Sequence, residues 1–247
     1  MSNPSEQALN GAAEERLALT ATLNQLSEIN RYNRWIYDQF SACLGQRILE
    51  VGSGTGNITQ FLLTGNRTVV ATDVLPKYRQ ELTTRFPDNQ HLQIRTFDLD
   101  RTVPAEFIAH PFDTVVCLNV LEHIEDDRGE LQKVYETLES GGHCLIFVPA
   151  LMWLYGAFDE KVGHFRRYTK NELEEKGKAA GFKIVKSKYF DFVGIFPWYI
   201  KYKLLKSASL ESGAVTAYDK FAVPVTKQFE RFLKFPVGKN ILTVLQK

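Results

Sequence analysis

Short apolar runs alternate with amphipathic stretches along nearly the whole chain. Runs at residues 48–51, 68–72, 91–97, 112–119 and 144–148 are rich in β-branched and aromatic residues, and each is short enough to read as a strand. Two more, at 182–190 and 240–246, complete a set of seven. Between them, apolar residues recur at helical spacing. Tyr78, Leu82 and Phe86 define a helix opened by Pro76, a residue suited to a first helical turn. Leu131, Val134, Tyr135 and Leu138 define another, expected to stop at Gly141-Gly142. Thr169-x-x-Glu172 is a capping box for a helix ending at Gly181. Ahead of the first strand, Leu26, Ile29, Ile36 and Phe40 predict an amphipathic helix. This alternation argues for a single α/β domain built on a mainly parallel sheet covered on both faces. No repeat, low-complexity segment or linker interrupts it. Residues 16–247 are therefore read as one domain, and the polar residues 1–15 as a disordered tail without a signal-peptide pattern.

The first strand runs into the densest motif of the chain, Glu50-Val51-Gly52-Ser53-Gly54-Thr55-Gly56. Glycines at alternate positions let the backbone take positive φ and approach a ligand closely. Residues 57–62 then read as a helix start, whose free N–H groups can face polar ligand atoms. Strand, glycine turn and helix together form the nucleotide-binding corner of a doubly wound fold. The spacing departs from the dinucleotide fingerprint G-x-G-x-x-G, because Asn57 holds its third position and Gly56 arrives one residue early. Asp73, Asp98 and Asn119 then stand at the ends of the next three strands, where an open parallel sheet binds its ligands.

Glu50-x-Gly52-x-Gly54-x-Gly56, followed by these strand-end residues, resembles motif I and its successors in the class I S-adenosylmethionine (SAM) methyltransferases. The resemblance implies a Rossmann-like sheet of seven strands with the last antiparallel. It implies SAM as cofactor, held by Glu50, Gly52, Ser53, Gly54 and Gly56, by Asp73 and Val74 at the ribose, by Asp98 and Leu99 at the adenine, and by Asn119 and Val120. It also makes the early helix, with Tyr32 and Trp35, either a lid over the cofactor or plain packing on the sheet. The segment Leu154-Tyr155-Gly156-x-x-Asp159…Gly163-His164-x-Arg166-Arg167-Tyr168 resembles a bacterial subgroup of these enzymes whose members often accompany genes for glycans, lipids or specialised metabolites.

Two histidines are candidates for catalysis. His123 follows the fourth strand, beside the expected methyl donor, and reads either as a base or as packing at a helix start. His164 sits among Asp159, Arg166 and Arg167, in a loop that either grips an anionic acceptor or ties itself together by ion pairs. Acceptor specificity is expected in residues 150–169 and 190–239, with Tyr155, Phe158, Arg166, Arg167, Tyr168, Trp198 and Tyr199 as its walls.

Composition narrows the classes. The net charge is +1, so nothing global recruits nucleic acid or an acidic membrane, and the motifs of DNA methyltransferases are missing. Three scattered cysteines, Cys43, Cys117 and Cys144, show neither disulfide nor metal spacing. They read as buried thiols of a cytoplasmic protein, and no metal site is expected. Residues 192–200 form an aromatic run far short of the roughly 20 residues that span a bilayer. With Lys183, Lys186, Lys188, Lys201, Lys203 and Lys206 around it, this run reads as an active-site lid or as a peripheral membrane contact. The expected activity is methyl transfer to an O or N atom of a small-molecule, lipid-linked or glycan-related acceptor. A protein acceptor, or a SAM-binding scaffold without transfer, remains the alternative.

Overall fold

A computed structural model describes residues 29–207 and 212–247. The expected tail and Leu26 of the first helix lie outside the described residues. Seven strands form one sheet: β1 (Arg47–Val51), β2 (Thr68–Thr72), β3 (Leu92–Arg95), β4 (Phe112–Leu118), β5 (Leu138–Pro149), β6 (Lys183–Phe190) and β7 (Asn240–Gln246). Their order is β3-β2-β1-β4-β5-β7-β6, and β7 runs antiparallel to both neighbours while the other pairings are parallel. The order reverses between β1 and β4, so a crevice opens beyond their carboxyl ends.

Successive residues of a strand point to opposite faces, and the sheet buries both. Leu49, Val115, Ile146 and Leu245 join Leu131, Val134 and Leu173 on one side. Ile48, Val116, Leu145 and Val244 join Trp35, Ile36, Leu62 and Leu82 on the other. These positions read as continuous apolar runs because helices cover each face.

Two elements differ from the sequence expectation. The helix Asp127–Thr137 stops short of Gly141-Gly142, and β5 begins at Leu138, which pairs with Phe112 before a bulge brings His143 opposite Thr114. The Lys247 ammonium donates to the carbonyls of Tyr135 and Leu138, so the chain's last residue satisfies backbone acceptors where the helix ends. Residues 190–239, expected to be irregular, are mostly helical. Ile195–Trp198 continues into the wide turns of Tyr199–Leu204, and Ser212–Ala217 continues through Tyr218–Ala222 into Val223–Phe232. Pro197 stands in the first turn of its helix, and Pro224 follows directly on the wide turns of Tyr218–Ala222.

These helices form a cap, and the early helix Asn30–Asp38 closes against it. Residue Ile29 gives that helix no side-chain cap; instead the Asp219 carboxylate accepts the backbone N–H of Tyr32 at 2.7 Å and of Arg31 at 3.3 Å. Lys227 adds an ion pair to Asp38 at 2.8 Å. Trp35 lies on Phe190, with ring centroids 3.9 Å apart, while Tyr32 and Asn33 face the crevice. The helix therefore both packs on the sheet and roofs the crevice.

Candidate active site

The crevice is a cavity of about 570 Å³, within the range of about 300–1,000 Å³ usual for small-molecule sites. At its floor the chain leaves β1 through Gly52 and Gly54, with φ of +69° and +52°. A Cβ on Gly52 would lie 2.5 Å from a Val120 methyl, so only glycine fits this crossing. The Asp73 carboxylate braces the turn, accepting the N–H of Gly54 at 3.0 Å and of Leu75 at 2.9 Å. Burial raises its pKa, while those N–H groups oppose the shift. Each oxygen keeps a second lone pair for a ligand hydroxyl. Glu50 accepts the Thr59 hydroxyl at 2.6 Å, yet burial pushes its carboxyl up to about 7.

Tyr32, Glu50, Gly52, Ser53, Gly54, Asp73, Val74, Asp98, Leu99, Asn119 and Val120 all line this one cavity. Gly56 does not: at φ +80° its missing Cβ leaves room for Leu82 and Phe86, so it serves the packing of helix on strand.

Beyond the strand ends, the cavity continues beneath the cap. His123, His164, Phe158, Arg167 and Trp198 line this part. Four expected acceptor contacts lie elsewhere. Tyr155 donates its hydroxyl to the His164 carbonyl at 2.7 Å, outside the cavity. Arg166 pairs with Asp127 at 2.9 Å and with the Glu125 carbonyl at 2.8 Å. Tyr168 is fully buried, its hydroxyl bonded to the Leu121 carbonyl and to Asp127. Tyr199 is exposed and packs on Trp153. The first three tie loops together, and of the expected acceptor residues Phe158, Arg167 and Trp198 line the cavity.

The charged loop forms a buried network. Arg167 forks onto Asp159, and the same carboxylate holds His164 Nδ1 at 2.8 Å. Burial, followed by the neighbouring His164, draws His123 down to about 3, so its imidazole stays neutral and is a weak proton acceptor. Glu122, passed over in the sequence, is fully buried, and burial pushes its carboxyl up to about 8. Its signal was a carboxylate beside a histidine at a strand's carboxyl end. Asp191, Tyr218, Lys239 and Asn240 were also missed. The buried Asp191 carboxylate accepts hydroxyls from Tyr32 and Tyr218 and pairs with Lys239 at 2.9 Å, drawing three segments together around the cavity.

Residues 49–144 match the model of a family described as a methyltransferase domain. An S-adenosylmethionine-dependent methyltransferase of Mesorhizobium loti superposes with a TM-score of 0.60 at 15% identity, over 86% of this chain and 98% of that one. The fold is that of a class I methyltransferase. The N-methyltransferase NodS of Bradyrhizobium japonicum, solved with S-adenosyl-L-homocysteine, gives a TM-score of 0.55 at 15% identity, covering 88% of this chain and 85% of that one. Among sequences, a ubiquinone biosynthesis O-methyltransferase of Paracidovorax citrulli is 28% identical over 129 residues, 50% of this chain and 52% of that protein. The hybrid PKS-NRPS synthetase lepA of Aspergillus flavus is 32% identical over 126 residues, 45% of this chain and 3% of that protein. The chain thus spans about half the length of the first of these relatives and a small part of the second.

Proposed function

We propose that this protein is a SAM-dependent methyltransferase acting on an O or N atom of a small, largely apolar acceptor. One observation carries the reading: a single cavity joins the glycine corner and Asp73 to an aromatic chamber under a helical cap. The residues fit the cofactor. Asp73 offers buried acceptors for two ribose hydroxyls, Glu50 a carboxylate for an amino group, and the Gly52 turn a backbone that any side chain would crowd. When bound, SAM supplies the activated methyl group. The protein's part is to align the acceptor and exclude water, which the roof of Tyr32, Trp198 and Tyr218 favours.

The cap supports an amphipathic or lipid-linked acceptor. Phe196, Ile200, Leu204 and Leu205 are exposed on its outer side, with the exposed Lys203 among them. No helix among the described residues is long and apolar enough to cross a membrane, so the contact proposed is peripheral. The segment from Leu154 to Tyr168 fits the bacterial subgroup it resembles, and free Cys117 and Cys144 fit a reducing cytoplasm.

Calorimetry with SAM on Asp73→Asn tests the cofactor reading. The amide keeps the shape and loses the charge-assisted bonds, which amount to roughly 1.5–3 kcal/mol, or about tenfold to a hundredfold in affinity. Unchanged affinity in a folded variant would refute it. Radiolabelled methyl transfer into fractionated extract tests the acceptor: label in the lipid or small-molecule fraction supports the proposal, label in protein overturns it, and binding without label leaves a scaffold.

A further inference from the structure

Glu122 and His123 lie on the short turn Leu121–His123 after β4, and His164 lies on the loop that follows the helix Ala157–Lys161. The Phe165 N–H donates to the Glu122 carbonyl at 2.8 Å and fixes the two segments side by side. One carboxylate oxygen of Glu122 and one ring nitrogen from each histidine lie within 4.8 Å of one another on the cavity wall. His164 Nε2 stands 4.0 Å from Glu122 Oε1, and the two imidazoles meet edge to face at 78°.

The hydrogen bonds behind these groups decide what they offer. Asp159 is committed to the Arg167 fork and can only accept, so His164 Nδ1 carries a hydrogen and the ring turns Nε2 toward Glu122. The His123 ring stands against the His164 ring, with centroids 4.6 Å apart. Both carboxylate oxygens of Glu122 are buried without a hydrogen-bond partner. One potential ligand atom from each of the three residues thus converges on the same point of the cavity wall.

We infer that Glu122, His123 and His164 bind one divalent first-row transition ion in the acceptor chamber. Two imidazoles and a carboxylate suit zinc, manganese, iron or cobalt better than magnesium or calcium. Bonds of about 2.0–2.2 Å need each donor to move inward by under about 1 Å. The backing of His164 by Asp159 is the arrangement that orients a metal-bound histidine. Three protein ligands leave open positions facing the chamber, where an acceptor hydroxyl would coordinate. Bound there, the ion would act as a Lewis acid and lower the pKa of that hydroxyl. This role rests on the methyltransferase reading; the binding site does not.

The test is metal titration of chelator-stripped protein, with zinc followed by calorimetry and cobalt by its visible absorption. One ion per chain is expected. Glu122→Gln and His164→Ala should each weaken it tenfold or more with unchanged circular dichroism, whereas His91→Ala, an exposed histidine, should not. Should a cavity variant misfold, the wild-type stoichiometry and cobalt spectrum still decide. Substoichiometric uptake, no ligand-field bands, or uptake indifferent to Glu122 and His164 would overturn the site. SAM affinity measured in the chelator keeps the two readings apart: retained cofactor binding without metal uptake sinks only this inference.

Discussion

Arg167 and Asp159 meet as a two-point ion pair, Nε to Oδ1 at 2.9 Å and Nη2 to Oδ2 at 3.1 Å, with both side chains buried. The pair sits behind the aromatic wall, the guanidinium 4.7 Å from the Trp198 ring centroid, and shares Asp159 with His164. Sequence density alone left open whether these charges grip a ligand or shape the loop. The fork commits Asp159 to the loop, while Arg167 still borders the cavity.

Breaking one side of that pair leaves an uncompensated buried charge, which costs about 3–5 kcal/mol. Arg167→Ala should therefore lower the urea midpoint strongly. Arg167→Lys should recover only part of it, since an ammonium cannot make the fork. Equal stability of wild type and Arg167→Ala would refute the structural role.

The second expectation concerns pH and Glu50. Its carboxyl ionises near 4.5 when unfolded and near 7 in the folded protein, chiefly through burial. The folded state thus holds the proton more tightly. The stability this group contributes is full below about 4.5 and is lost as pH rises through about 7. Without cofactor, the melting temperature should fall over that window, and Glu50→Gln should flatten the fall. If Glu50 meets the ammonium of SAM, cofactor affinity should rise over the same window in wild type and not in Glu50→Gln. Calorimetry at several pH values reads this directly; parallel slopes in the two proteins would exclude Glu50 from that role.

The strands were legible because each is a short apolar run ending in a residue that faces the crevice: Thr68–Thr72 before Asp73, and Phe112–Leu118 before Asn119. The cofactor corner was legible for a related reason, since Gly52 and Gly54 carry a backbone requirement that only glycine meets cheaply. What stayed hidden depends on distant partners. Nothing near Ile29 announces that Asp219 caps its helix, and nothing near Tyr155 or Tyr168 says that their hydroxyls are spent on the His164 and Leu121 carbonyls. Linear spacing likewise missed the meeting of Glu122 and His123 with His164, because two separate loops bring it about.

Asp219 supplies a third test. Losing a helix-capping carboxylate costs about 0.5–2 kcal/mol. Here it should also loosen the roof, because Tyr32 and Asn33 line the cavity from the same helix. Asp219→Ala should speed hydrogen exchange across residues 30–38 and weaken SAM binding, with β1 and β4 still protected. Unchanged exchange in that helix would show that the cap does not hold it closed.

The last expectation concerns Trp198. Its ring lines the proposed acceptor chamber beside Phe158, edge to face at 86°, and its indole N–H is buried without a partner. A buried donor left unpaired is costly, so a hydrogen-bonding acceptor entering the chamber gains by meeting it. Trp198→Phe keeps an aromatic ring under the Arg167 guanidinium and deletes only the donor and part of the volume. Losing one such bond, worth about 0.5–1.5 kcal/mol, should raise the acceptor's Michaelis constant about twofold to tenfold and leave that of SAM nearly unchanged. Trp198→Ala, which also removes the wall, should raise it further. Steady-state kinetics with both substrates varied separates the outcomes, and an equal rise in both constants would mean that Trp198 supports the fold of the site and does not touch the acceptor.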